Sequence, residues 1–169
     1  MEHDSREGPN PDAPPELSQF AFLIGAWRAD GKLKSVDGKW KPFTADWTAR
    51  YILGGYVITD EFHMNDTGCE FQLHGATFRS YNARRKIWVM KFLNARESSW
   101  LELGPENLGG VEVTDDAITF RHRVEPDGLM RVRFENISAD HFTWRGQLSN
   151  DEGKTLDEVM VIEAERIKD

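Results

Sequence analysis

The stretch from Trp47 to Phe62, WTARYILGGYVITDEF, decides the fold. Its two arms meet at Gly54-Gly55, and paired glycines between such arms mark a two-residue hairpin turn, because a primed turn needs the positive φ that glycine adopts at least cost. Pairing Leu53 with Tyr56 across that turn sets Tyr51 opposite Ile58, Ala49 opposite Asp60 and Trp47 opposite Phe62. The other face pairs Thr48 with Glu61 and Asp46 with His63. One face is apolar and the other charged, and a one-residue slip would exchange them.

The neighbouring turns extend the same face outward. A loop over Asn65–Gly68 pairs Met64 with Cys69, Phe62 with Phe71 and Asp60 with Leu73. A loop over Asn82–Arg85 pairs Arg79 with Trp88, Thr77 with Met90 and Gly75 with Phe92, where an aromatic ring covers the gap left by a strand glycine. Farther on, Glu125-Pro126-Asp127-Gly128-Leu129 matches a three-residue loop that pairs Val124 with Met130, His122 with Val132 and Phe120 with Phe134. Ser138-Ala139-Asp140 then pairs Asn136 with Phe142, Phe134 with Trp144 and Val132 with Gly146. From Ala26 to Ile167 the apolar residues recur with period two, and no segment beyond Gly25 holds a helical period. The reading is all-β: an antiparallel meander of about ten strands, with one short helix around Pro15–Ile24 plugging an end. Left open, so large a sheet would expose two hydrophobic edges, so the expected form is a closed barrel.

Composition sets the outer bounds. The chain has 169 residues, with 21 Lys+Arg against 29 Asp+Glu, a formal charge of −8, and its 6 Trp and 10 Phe are enough to build a core. An acidic chain without a Lys/Arg block is a poor partner for nucleic acid or an anionic membrane. The single cysteine, Cys69, allows no intrachain disulfide. The first nineteen residues, MEHDSREGPNPDAPPELSQ, are acidic and proline-rich where a signal peptide would be basic and then apolar, which points to the cytoplasm. Residues 1–16 read as a disordered arm and 17–169 as one domain. A homodimer is left open.

The segment Phe22-Leu23-Ile24-Gly25-Ala26-Trp27 resembles the F-L-x-G-x-W opening of lipocalin-like (calycin) barrels, in which a short helix leads into the first strand and the Trp closes the barrel base. Nitrobindin-like haem barrels share that opening. The WTARYILGGYVITDEF stretch, and the Tyr81-Asn82 turn followed by Trp88 and Phe92, are similar to a bacterial lipocalin-like family of unknown function. The resemblance covers most of residues 20–167 and implies a lipocalin-like barrel without a common substrate. A haem-binding barrel is thus a further alternative, although the nitrobindin-like pattern implies a haem-ligating histidine near the C-terminus and Thr155–Asp169 contains none.

On these registers the inner face carries Trp47, Tyr51, Tyr56, Phe62, Phe71, Trp88, Met90, Phe92, Phe120, Phe134 and Trp144, a lining suited to a small apolar or aromatic molecule. A barrel packed solid with side chains, serving as an interaction module, is the alternative. Asp60, Arg79, His122 and Asn136 are the polar exceptions on that face. A buried carboxylate must pair, shift its pKa or face a wet cavity, so Asp60 is either a partner of Arg79 or of a tyrosine hydroxyl, or a cavity acid. Asp60 and His122 facing each other across the lumen would suit a cofactor-independent isomerase, cyclase or lyase. No cofactor and no metal site is expected: the outer cluster of Glu61, His63, Glu70, Gln72 and His74 reads as solvated cross-strand pairs. Nucleotide fingerprints and serine-hydrolase elbows are missing from the chain.

Overall fold

The computed structural model describes residues 8–65 and 71–169. Eleven antiparallel strands form one sheet: β1 Gly25–Lys34, β2 Trp40–Ile52, β3 Val57–Met64, β4 His74–Asn82, β5 Ile87–Asn94, β6 Ser99–Leu103, β7 Glu112–Val113, β8 Ala117–Val124, β9 Gly128–Glu135, β10 His141–Ser149 and β11 Asp157–Arg166. Their order is β6-β5-β4-β3-β2-β1-β11-β10-β9-β8-β7, so every neighbour but one is a hairpin partner. The exception is the β1–β11 ladder, where the first and last strands pair along Trp27–Leu33 and Met160–Arg166. The sheet curls so that β6 and β8 come side by side without a ladder between them, bridged by the Gly104 N–H, just past β6, donating to the Arg121 carbonyl at 2.9 Å. The result is a half-barrel with a seam between β6 and β8.

The hairpin closes through four residues instead of two: Leu53, Gly54 and Gly55 all take positive φ, at 52°, 69° and 85°, and the ladder starts at Ile52 opposite Val57, which keeps the expected register of Tyr51 opposite Ile58 and Trp47 opposite Phe62. Tyr56 itself stays on the turn, 44% exposed, and does not reach the lumen. The β9–β10 register, Phe134 opposite Trp144 and Val132 opposite Gly146, is also the expected one.

Three hairpins pair differently. Between β3 and β4, Phe62 faces Gly75 and Asp60 faces Thr77, a shift of four residues from the expected pairing. This register brings Arg79, opposite Ile58, diagonally beside Asp60, and a buried carboxylate without a partner costs several kcal/mol. Phe71 is left in the loop before β4, 45% exposed, rather than opposite Phe62. Cys69, expected opposite Met64, and Glu70 lie outside the described residues. Between β4 and β5 the ladder moves by two, with Arg79 opposite Met90 and Tyr81 opposite Trp88. Here Asn82 opens the turn, its side-chain oxygen accepting the Arg85 N–H at 3.0 Å, so it precedes the loop instead of sitting in it. Between β8 and β9, His122 faces Met130 and Phe120 faces Val132, because Gly128 joins the ladder opposite Val124 and takes no left-handed bulge. Each shift is even, so the inner face keeps its members. Asn136 is the exception: at φ 51° it leaves the end of β9, is exposed, and donates to Thr143 Oγ1 at 3.2 Å.

One end of the barrel is stoppered. Pro15–Leu23 forms a 3₁₀ helix whose buried residues Leu17, Phe20 and Leu23 recur every third position, the repeat of that helix. The Trp27 indole donates to the Leu23 carbonyl at 2.7 Å, and Arg166 reaches across from β11 to the carbonyls of Phe22 and Ile24 while stacking 4.2 Å from the Trp27 ring. Gly25, at φ 123°, leaves the space that the Arg166 guanidinium fills. Of the arm expected over 1–16, residues 1–7 lie outside the described residues. Asn10 is held on the β2–β3 turn, its N–H on the Gly55 carbonyl and its side-chain amide on that of Gly54, both at 2.9 Å.

Candidate functional site

On β1, β5, β6, β8, β9 and β10 the inward-facing residues grade from buried to half-buried away from the helix plug, whereas on β2 and β3 they stay buried to the far end, through Phe43 and Met64. On β5, Trp88 and Met90 are buried while Phe92 is not; on β9, Phe134 and Val132 are buried while Met130 is not. Leu103 gives way to Leu101 on β6, Phe142 to Trp144 on β10, Phe120 to His122 on β8, and Ala29 to Leu33 on β1. The barrel is therefore filled in its plugged half and open in the other. Rings from Phe43, Phe92 and Trp144 lie against Gly31, Gly75 and Gly146, in the space that a Cβ at each glycine would take. Flat against the wall, these rings keep an apolar surface without crossing the lumen.

The filled half holds the buried charges. Asp60 and Arg79, each 2% exposed, form an ion pair between Arg79 Nη1 and Asp60 Oδ1, and Asp60 Oδ2 accepts the Trp47 indole N–H at 2.8 Å. The Phe20 ring lies 5.0 Å from the Arg79 guanidinium, whose Nε finds no acceptor among the described residues. Burial pulls Arg79 down to about 9, which leaves it protonated at neutral pH. Asp60 thus holds the Trp47 indole with one oxygen and faces the Arg79 cation with the other.

His122 belongs to the open half. Its Nδ1 lies 3.0 Å from the Arg123 carbonyl, which fixes the proton there in the neutral ring and leaves Nε2 as an acceptor. Burial lowers its pKa, against the opposing effect of that hydrogen bond. The folded state therefore binds the proton less readily than the unfolded chain does. Stability is full above the unfolded value of about 6.5 and falls as pH drops through the depressed folded value. His122→Gln should flatten this slope: urea midpoints of the two proteins, equal in their pH trend above neutrality, should diverge between pH 7 and pH 5, with wild type losing more.

Of the sequence-derived lining, Trp47, Tyr51, Phe62, Arg79, Trp88, Met90, Phe120 and Phe134 lie in or against the filled core, whereas Phe92, Trp144 and His122 reach the open half. No hydrogen bond or ion pair joins Asp60 to His122 among the described residues. Leu33, Leu101 and Met130 complete the open wall; they obey the same period of two, but only the position of the plug tells them apart from core. On the outer face His63 and His74 meet with Nδ1 atoms 3.1 Å apart. Among the described residues no group of three His, Cys, Asp or Glu is placed to hold a metal ion. For haem, the inner face offers one imidazole, His122 on β8, and β11 carries none, so the donor set does not match the C-terminal-histidine pattern.

No family model matches the chain, and no curated protein does. Solved structures share its fold, and two of them cover nearly the whole chain. The S-type phycobiliprotein lyase CPES from Guillardia theta superposes with a TM-score of 0.58 at 12% identity, covering 90% of this chain and 92% of its own. Rv2717c from M. tuberculosis gives 0.58 at 14% identity, with 93% and 100% covered. At these identities the likeness establishes the curled antiparallel barrel over nearly the whole chain, as the lipocalin-like resemblance implied. Among the described residues no helix is long and apolar enough to cross a membrane.

Proposed function

We propose that the open half of the barrel binds a small apolar or aromatic molecule. The observation that carries this reading is the burial gradient: inward-facing Leu33, Phe92, Leu101, Met130 and Trp144 remain solvent-reachable although each stands on the same face as a fully buried neighbour. Apolar side chains that line a concave wall and stay half-exposed are what a ligand would cover. The fold likeness to a protein named as a phycobiliprotein lyase supports a small-molecule role in kind, without naming the ligand. His122 Nε2 is the acceptor available to orient such a molecule. In the acid–base alternative, isomerase, cyclase or lyase chemistry with Asp60 and His122, only His122 reaches the open half, so a turnover assay of His122→Gln decides it.

Titration with the neutral fluorophore phenylnaphthylamine tests the binding reading. The wild type should show saturable enhancement at one molecule per chain. Leu101→Glu and Met130→Glu, which place a carboxylate on the apolar wall, should each weaken binding at least about tenfold, since a buried unpaired charge costs well over the 1.4 kcal/mol that a tenfold change represents. The outer-face control Val89→Thr should bind as wild type. Affinity unchanged by both wall variants would overturn the proposal.

A further inference from the structure

A second concavity lies outside the barrel, at the plugged end. It is formed where the crossing from β6 to β7 arches over the seam, encloses about 430 Å³, and is bounded by the plug helix, the β4–β5 hairpin and that crossing. Its walls are Tyr81, Ile87 and Trp88 on one side and Val111 and Val113 on the other. That volume falls in the range of small-molecule sites. Ile87, Val111 and Val113 supply apolar surface, while Tyr81 and Trp88 pack edge to face with centroids 5.4 Å apart.

The polar groups around it are mostly donors. Gln19 uses its side-chain oxygen on the Trp88 indole N–H at 3.0 Å, and among the described residues no acceptor engages its amide nitrogen. Glu106, the one carboxylate of the lining, is neutralised by Arg85 at 2.5 Å. Lys86 is the remaining charge, and it has no ion-pair partner among the described residues. Its backbone is left-handed, at φ 56°, in the last position of a hairpin loop where glycine or asparagine fits with less strain. The crossing makes room through Gly104, Gly109 and Gly110, all at positive φ, and a Cβ at Gly110 would meet nothing within 4 Å.

A slot with apolar walls, one amide donor and one cation without an ion-pair partner among the described residues selects an anion with a flat body. We infer that this pocket binds a small aromatic carboxylate, with its ring between the Tyr81–Trp88 wall and Val111 and its carboxylate on Lys86 Nζ and the Gln19 amide. The site is separate from the open half, so either proposal can fail without the other.

The test is a titration of the ¹⁵N-labelled full chain with naphthoate, followed by amide shifts, with uncharged naphthamide as the matched control. Naphthoate should move the amides of Gly104, Gly109 and Gly110 and leave those of Leu33 and Met130 in place. Lys86→Gln, at an exposed position, should weaken naphthoate at least about tenfold and leave naphthamide unchanged, since removing a charge-assisted hydrogen bond costs about that much. Leu101→Glu should have no effect on naphthoate. Shifts confined to the open half, or equal binding of naphthoate by wild type and Lys86→Gln, would overturn the inference.

Discussion

Arg79→Met is expected to destabilise the protein by about 3–5 kcal/mol, because it strands the Asp60 carboxylate in a dry core. Both groups are 2% exposed, so solvent cannot take over the role of the lost partner. Among the described residues the Trp47 indole would remain as the only hydrogen-bond donor to Asp60, and Phe20 would lose its contact with the guanidinium. The double variant Asp60→Leu with Arg79→Met should be far closer to wild type, since exchanging a buried ion pair for apolar groups of similar volume is often neutral. Urea unfolding followed by circular dichroism measures both. A single variant no less stable than the double one would show that the pair carries no such coupling.

Phe20→Ala should cost about as much, roughly 3–5 kcal/mol for a fully buried phenylalanine. The ring is completely buried, packs edge-on against Trp88 at 4.9 Å and Phe134 at 6.2 Å, and covers Arg79. Its loss opens a hole between the plug helix and the barrel floor, and the 3₁₀ helix has little intrinsic stability with which to hold its place. A fall in thermal midpoint of about 6–20 °C is expected, at about 2–4 °C per kcal/mol for a chain of this size. Phe20→Leu should lose clearly less. If Phe20→Ala melts with wild type, the helix is not the stopper that its packing implies.

The parts of the fold that local chemistry dictates were legible in the chain. Gly54-Gly55 marked the hairpin turn, and the alternation on either side admitted only one face for the core. The plug over residues 15–24 was legible because it alone broke the period of two. What local chemistry could not supply was register where a loop has more than one way to close. Asn82 serves a turn equally well at its start or inside it, and only the long-range need of Asp60 for Arg79 selects the β3–β4 pairing. The candidate site was legible as a face but not as a place on that face: Trp88 and Phe92 look alike in the alternation, and the plug alone makes one core and the other wall. Arg166, which ties the last strand to the plug, gave no local signal at all.

The ladder between β1 and β11 divides the molecule in a way the barrel shape conceals. All other pairings join strands adjacent in the chain, so β1–β6 and β7–β11 are two local meanders, zipped together along the first and last strands. The crossing from Gly104 to Val111 ties them covalently at the far side but contributes no strand to the sheet. A peptide-bond break in that crossing would therefore sever no ladder, and the two fragments would still own complementary edges.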